Sequence, residues 1–234
     1  MHAHVISSVN EACAANFHHK TAIVIDVLRA TSTITAALAA GASCVIPAET
    51  VMDAKGLQQE GDILGGERFC KKIAGFHLGN SPLEYQPSLV EGRRIILTTT
   101  NGTRAIHKSL RADHVLAASL LNAEACAKLA IELRRDLVIV CAGTNDDFAM
   151  EDGLCAGLLI DCLRSLAGIP VEVNDFGEAM HSMYRFKAEC IEQSLISCAS
   201  GKRLSKLGLQ EDIVACSLVN SCSHVPRLVD HKLI

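Results

Sequence analysis

Aromatic residues are scarce in this chain. Phenylalanine, tyrosine and tryptophan make up 3% of its 234 residues, and tryptophan is absent. Proteins that hold single-stranded nucleic acid stack bases on aromatic side chains, so the composition argues against such a surface. No block of lysine and arginine occurs either. With 22 basic and 26 acidic residues the formal net charge is −4, and the footprint expected for a phosphate backbone is missing. No apolar run approaches the ~20 residues that a membrane helix needs. The first twenty residues include His2, His4, Asn10 and Glu11 and lack the apolar centre of a secretion signal. None of the 11 cysteines has Cys-x-x-Cys spacing and their number is odd, which disfavours a zinc knuckle or a thioredoxin-like motif. Their apolar neighbours suit small buried thiols in a reducing compartment, so a cytoplasmic protein without nucleic-acid or membrane partners is expected.

What the chain does have is a series of β-branched apolar runs alternating with amphipathic stretches. Thr21–Val27, Ser43–Pro47, Arg93–Thr98, His114–Ala117 and Leu137–Ala142 read as strands, and Asp62–Gly66 as a strand tip. Thr31–Ala40, Val51–Gln59, Thr103–Leu110, a segment from Asn122 to about Arg135, and Glu151–Ala167 read as helices. Lys71–Pro87, punctuated by glycine and proline, reads as loop. The alternation predicts an α/β fold: three α/β/α layers around a mainly parallel sheet, in one domain covering residues 1–234. It fades after Val173, so the last 60 or so residues are expected to form a helical appendage or to carry an antiparallel strand. His2, His4, His18 and His19 are assigned to a frayed or solvated N-terminus. The apolar helix surface is compatible with a homodimer.

Polar clusters stand at the ends of these runs, where α/β proteins place their sites. Asp26 closes an apolar strand and precedes Arg29 and the hydroxyls of Thr31, Ser32 and Thr33. A carboxylate there serves as a metal ligand, a nucleophile or a helix N-cap. Gly66, Glu67 and Arg68 pair a carboxylate with a guanidinium after glycine. Thr98–Arg104 joins a strand to a helix whose free N–H groups, with Arg104 in the first turn, form a cradle for an oxyanion or a plain turn. Glu151 and Asp152 open the helix after the most apolar strand, as favoured first-turn acids or as ligands of a hard cation.

Taken in order, Ile25–Thr33, Gly66–Arg68, Gly75–Glu84, Thr98–Arg104, Cys141–Gly157 and Gly201–Leu204 resemble 2-phosphosulfolactate phosphatase. The likeness runs from about residue 23 to 226. It implies a Mg²⁺-dependent phosphomonoester hydrolase that converts 2-phospho-3-sulfolactate and water to 3-sulfolactate and phosphate, a step that feeds coenzyme M synthesis in some organisms. A different small phospho-acid substrate, or anion binding without turnover, are the alternatives. On this reading Asp26, Glu67, Glu151 and Asp152 supply the metal ligands and the base. Arg29 and Arg104, with the N–H groups after Asn101, stabilise the phosphoryl charge. Arg68, Asn80, Ser81, Asn101, Gly102 and Thr103 hold a small substrate carrying phosphate and sulfonate.

Overall fold

The computed structural model describes residues 1–234. The chain opens with β1 (His2–Ile6) and β2 (Lys20–Ile25), followed by α1 (Ala30–Ala39), β3 (Cys44–Pro47) and α2 (Val51–Leu57). Next come β4 (Ile63–Arg68), β5 (Lys71–Lys72), the single turn α3 (Pro87–Val90), β6 (Arg94–Thr98) and α4 (Gly102–Lys108). The third stretch holds β7 (His114–Ala118), α5 (Ala123–Glu132), β8 (Asp136–Cys141), α6 (Met150–Leu166) and β9 (Glu172–Val173). Helices α7 (Asp175–Lys187), α8 (Ile191–Ser197), α9 (Ala199–Lys206) and α10 (Gln210–Cys216) then lead to a closing hairpin, β10 (Leu228–Val229) and β11 (Lys232–Leu233).

The strands divide between two sheets. The first, in the order β7-β2-β8-β1-β9, is wholly parallel. The second, β10-β11-β3-β6-β4-β5, has a parallel centre and antiparallel edges. Side chains alternate across a strand, and here each face has its own partner. In β2, Ile23 and Ile25 join α5 and α6 in one core of 29 buried residues. Ala22 and Val24 face the opposite way, into a core of 23 residues that includes Ile34 and Ala37 of α1, Ile106 of α4, and Val45, Ile95 and Leu97 of the second sheet. Ile46, Leu64 and Ile96 point outward from that sheet beneath α2. The first sheet therefore has helices on both faces, as the alternation of elements predicts, and the second sheet backs the α1–α4 layer.

One feature departs from the sequence reading, and one bears it out. The N-terminus is not frayed: β1 lies between β8 and β9, and the His2 amide donates to Asp136 Oδ1 at 2.8 Å. Its apolar pattern is only Ala3, Val5 and Ile6, too short to be read locally, and its main partner strand lies more than a hundred residues away. The C-terminal part is both helical and stranded, since β11 crosses to β3 and extends the second sheet.

Close approach between β4 and β6 depends on glycine. Gly66 has φ +143, and any Cβ there would run into the Thr98 carbonyl. That contact draws Glu67 and the Thr98–Asn101 segment to the same place.

Candidate active site

The C-terminal ends of β2, β4, β6 and β8 converge from both sheets on a cavity of about 70 Å³, room for a few water molecules. Asp26, Arg29, Glu67, Asn80 and Asn101 line it, as the sequence leads one to expect. Phe69, Cys70, Thr144, Asn145, Ser200 and Arg203 line it as well.

Asp26 is held by the helix it precedes. Its Oδ1 accepts from the Ala30 amide at 3.2 Å, and the Thr31 hydroxyl bonds both to its amide and to its carbonyl. The N-cap reading of this residue is thus partly realised. Its Oδ2 has no protein donor, and Gly102 keeps the space beside it clear: a Cβ at 102 would stand 2.6 Å from that oxygen. Burial pushes the Asp26 carboxyl up to about 7, with Glu67 and Glu151 adding repulsion against the lowering effects of the Ala30 amide and Arg29. Asp152 is also raised, by burial first and then by Asp26 and Glu151.

Glu67 fixes the two loops beside it. Its Oε1 accepts from the amide and hydroxyl of Thr100, at 2.9 and 2.8 Å, and its Oε2 from the Cys70 amide at 2.6 Å. Cys70 and Phe69 form the two-residue turn between β4 and β5. Both have positive φ, 65 and 56, in a turn type that usually takes asparagine or glycine. Strained backbone of this kind gathers at functional sites. Asp152 uses both oxygens on backbone amides, Val27 at 2.9 Å and Gly143 at 3.0 Å, and so ties the start of α6 to the tips of β2 and β8. Glu151 beside it is buried, 2% exposed, with the Cys198 thiol against it.

The arginines sort differently from the sequence expectation. Arg29 is buried and forms an ion pair with Asp212 of α10, while its other nitrogen donates to the Cys70 carbonyl at 3.2 Å. Asp212 also accepts from the Ser81 hydroxyl at 2.6 Å, so Ser81 is occupied in the same network. Arg68 turns to the carbonyls of Glu67 and Glu49 and to the Thr98 hydroxyl. Arg104 lies outside the cavity lining and pairs with Asp146 at 2.6 Å. Thr103 exchanges bonds with Thr99 rather than facing the cavity, and the Asn101 amide, by contrast, donates to no group of the chain. The Asn80 side-chain oxygen is buried without a donor. Sequence reasoning missed Asp212 and Arg203 as members of the site. Gly201–Leu204 was a signal for the second, but nothing local tied α9 to the strand ends.

Oxygen ligands suit a hard cation, and Mg²⁺ typically takes one or two carboxylates plus water. No three His, Cys, Asp or Glu side chains are already gathered as a metal cage. The free Asp26 Oδ2, the clearance left by Gly102 and the partly uncompensated charge of Asp26, Glu67, Glu151 and Asp152 nevertheless fit such an ion. The charge balance has a measurable consequence. An Asp that titrates near 7 when folded and near 3.8 when unfolded holds an extra proton in the folded state between those values. Its contribution to stability is therefore lost as pH rises through that window. In chelator, the melting temperature should fall between pH 5 and pH 8 by several degrees more than in an Asp26→Asn variant; equal slopes would refute the assignment.

Acidic and cationic groups meeting at parallel strand tips make a site whose chemistry suits a phosphate ester. The chain is a member of the 2-phosphosulpholactate phosphatase family, whose sequence model matches residues 7–231. It is 39% identical over 230 residues to a protein of Symbiobacterium thermophilum named "Probable 2-phosphosulfolactate phosphatase", covering 97% of this chain and 98% of the relative. Proteins of the same name from Thermotoga maritima and Clostridium acetobutylicum are 42% and 39% identical, over 92% and 98% of both chains. No helix is long and apolar enough to cross a membrane.

Proposed function

We propose that this protein hydrolyses the phosphate monoester of 2-phospho-3-sulfolactate with the help of Mg²⁺. Family membership and the names of the relatives support the substrate. The observation that carries the chemistry is Asp26, a buried carboxyl poised near 7 at the tip of β2, with one oxygen free in a cavity that also holds arginine.

In the reaction a water oxygen bonds to phosphorus and the bond from phosphorus to the ester oxygen breaks. The departing alkoxide takes a proton from solvent, which leaves 3-sulfolactate and inorganic phosphate. Asp26, once ionised, accepts the proton that the water gives up; a base with a pKa near the working pH is well matched to that task. The Asn101 amide supplies a donor for a phosphoryl oxygen, and Arg29 keeps a positive charge beside the site from its place on Asp212. Glu67 and Glu151 would hold the metal, with Asp26 left free to take the proton of the water and Asp152 adding its charge behind them. Bound Mg²⁺ supplies neutralisation of phosphoryl charge and a more acidic water.

The direct test is phosphate release from 2-phospho-3-sulfolactate by the purified protein, with Mg²⁺ and with chelator, beside a panel of other phospho-acids. Release that needs Mg²⁺ and favours the sulfonated ester is expected. Turnover undiminished by chelator would remove the metal from the mechanism, and preference for another ester would replace the substrate. Mg²⁺ should also raise the melting temperature more at pH 8 than at pH 5, because ligand binding to the folded, ionised site adds stability.

A further inference from the structure

We infer that Arg203, with the hydroxyls of Ser200 and Thr144, forms a subsite for the sulfonate of the substrate. The inference rests on the reading above that the substrate is a phosphorylated sulfonic acid.

Two arginines line the cavity, and they differ in employment. Arg29 is committed to Asp212 and to the Cys70 carbonyl. Arg203, half-buried on α9, forms no ion pair and donates to no group of the chain, although an unpaired guanidinium at such a wall has five donors to offer. The cationic side chain left unspent is therefore the one the polar clusters at the strand ends did not include.

Its neighbours complete an anion seat. Thr144, in the tight turn after β8, and Ser200, in the first turn of α9, hydrogen-bond to each other through their hydroxyls at 3.2 Å on the cavity wall, which leaves one of the two O–H groups free. The turn is built for this position: Asn145 and Asp146 both have positive φ, 52 and 68, and Thr144 and Asp147 bond to each other through both amides. The O–H left free by that pair and the guanidinium give donors from two separate elements. A sulfonate presents three equivalent oxygens in a tripod and stays ionised at any physiological pH. A planar carboxylate would engage a guanidinium through two parallel bonds and leave the hydroxyls over.

Electrostatics set the direction in which the substrate lies. A sulfonate at the Asp26–Glu67 end would face ionised carboxylates, whereas the phosphoryl group would arrive there with a cation. Arg203 is the cationic group of the lining that no carboxylate of the chain neutralises, and it is near enough to the β4–β5 turn for its charge to act on the Cys70 thiol. The phosphoryl and sulfonate groups of the substrate are separated by two carbons and the ester oxygen, so one small molecule can present both to the same cavity.

The test compares wild type with Arg203→Met, which keeps an unbranched apolar stem and removes the guanidinium. Because Arg203 has no partner in the chain, the melting temperature should stay unchanged. On 2-phospho-3-sulfolactate KM should rise roughly 10–100-fold, the range expected for losing charge-assisted hydrogen bonds, while kinetics on 2-phospholactate, which lacks the sulfonate, should shift less than about threefold. Parallel losses on both esters, or none on either, overturn the subsite. Calorimetric titration with 3-sulfolactate separates the two proposals. If wild type binds it, Arg203→Met weakens binding at least about tenfold, and wild type hydrolyses no phospho-acid, the subsite stands and the hydrolysis falls. If wild type turns over and the variant binds 3-sulfolactate as before, the hydrolysis stands and the subsite falls.

Discussion

Asp26→Asn is expected to abolish most turnover while leaving the fold at least as stable as wild type. Loss of a positioned base costs typically 10²–10⁴ in rate, so kcat for phosphate release should fall by about that factor. The amide keeps an oxygen that can accept from the Ala30 amide, and the Thr31 bonds involve only the backbone of residue 26. What disappears is a carboxylate that burial and neighbouring acids oppose when it is charged. In chelator at pH 8 the variant should therefore melt at or above the wild-type temperature. The pairing of the two results is the check. Activity lost together with stability would mark Asp26 as a structural cap, and activity retained would remove it from the chemistry.

Asp212→Ala is expected to have the largest effect on stability. The Asp212–Arg29 pair is buried, each side chain 4% exposed, and the Ser81 hydroxyl bonds to the same carboxylate. Removing one member strands a buried guanidinium, which costs about 3–5 kcal/mol in comparable cases. For a chain of this length that corresponds to a fall in melting temperature on the order of 10 °C. Replacing both partners, Arg29→Met with Asp212→Leu, should recover much of the stability, because the pair's desolvation cost goes with its attraction. The double variant should remain impaired in phosphate release, since Arg29 lines the cavity. A single variant that melts like wild type would show that the pair contributes little; a double variant with full activity would show that Arg29 is only a strut.

Much of the architecture was legible because burial leaves a mark on sequence. Strands covered on both faces must be apolar throughout, and Lys20–Ile25, Cys44–Pro47, Arg94–Thr98 and Asp136–Cys141 all fall within or beside runs of that kind. Such a run reports that both faces are covered and is silent on what covers them. The division into two sheets with a shared helical layer was therefore invisible, although each strand of that layer was seen. β1 escaped notice for the opposite reason: it is short, half-polar and at a terminus, and it is a strand because β8 and β9 receive its hydrogen bonds.

The site divides in the same way. Asp26, Glu67 and Asn101 were found because a polar group following an apolar strand advertises itself locally, and Asn80 through the resemblance of Gly75–Glu84. The fates of the arginines could not be. Arg29 was read as a free cation beside Asp26, but its partner is Asp212, 183 residues further on. Arg104 was read as part of the cradle and instead meets Asp146. Arg203 entered only through the resemblance of Gly201–Leu204, with no role assigned to it. Sequence alone determined the chemical inventory, the strand tips that carry it and the family to which the chain belongs. Only tertiary structure decided which charges are neutralised by each other and which remain free for a ligand. Pairing of charges depends on distance in space and on exclusion of water, and neither follows from position along the chain.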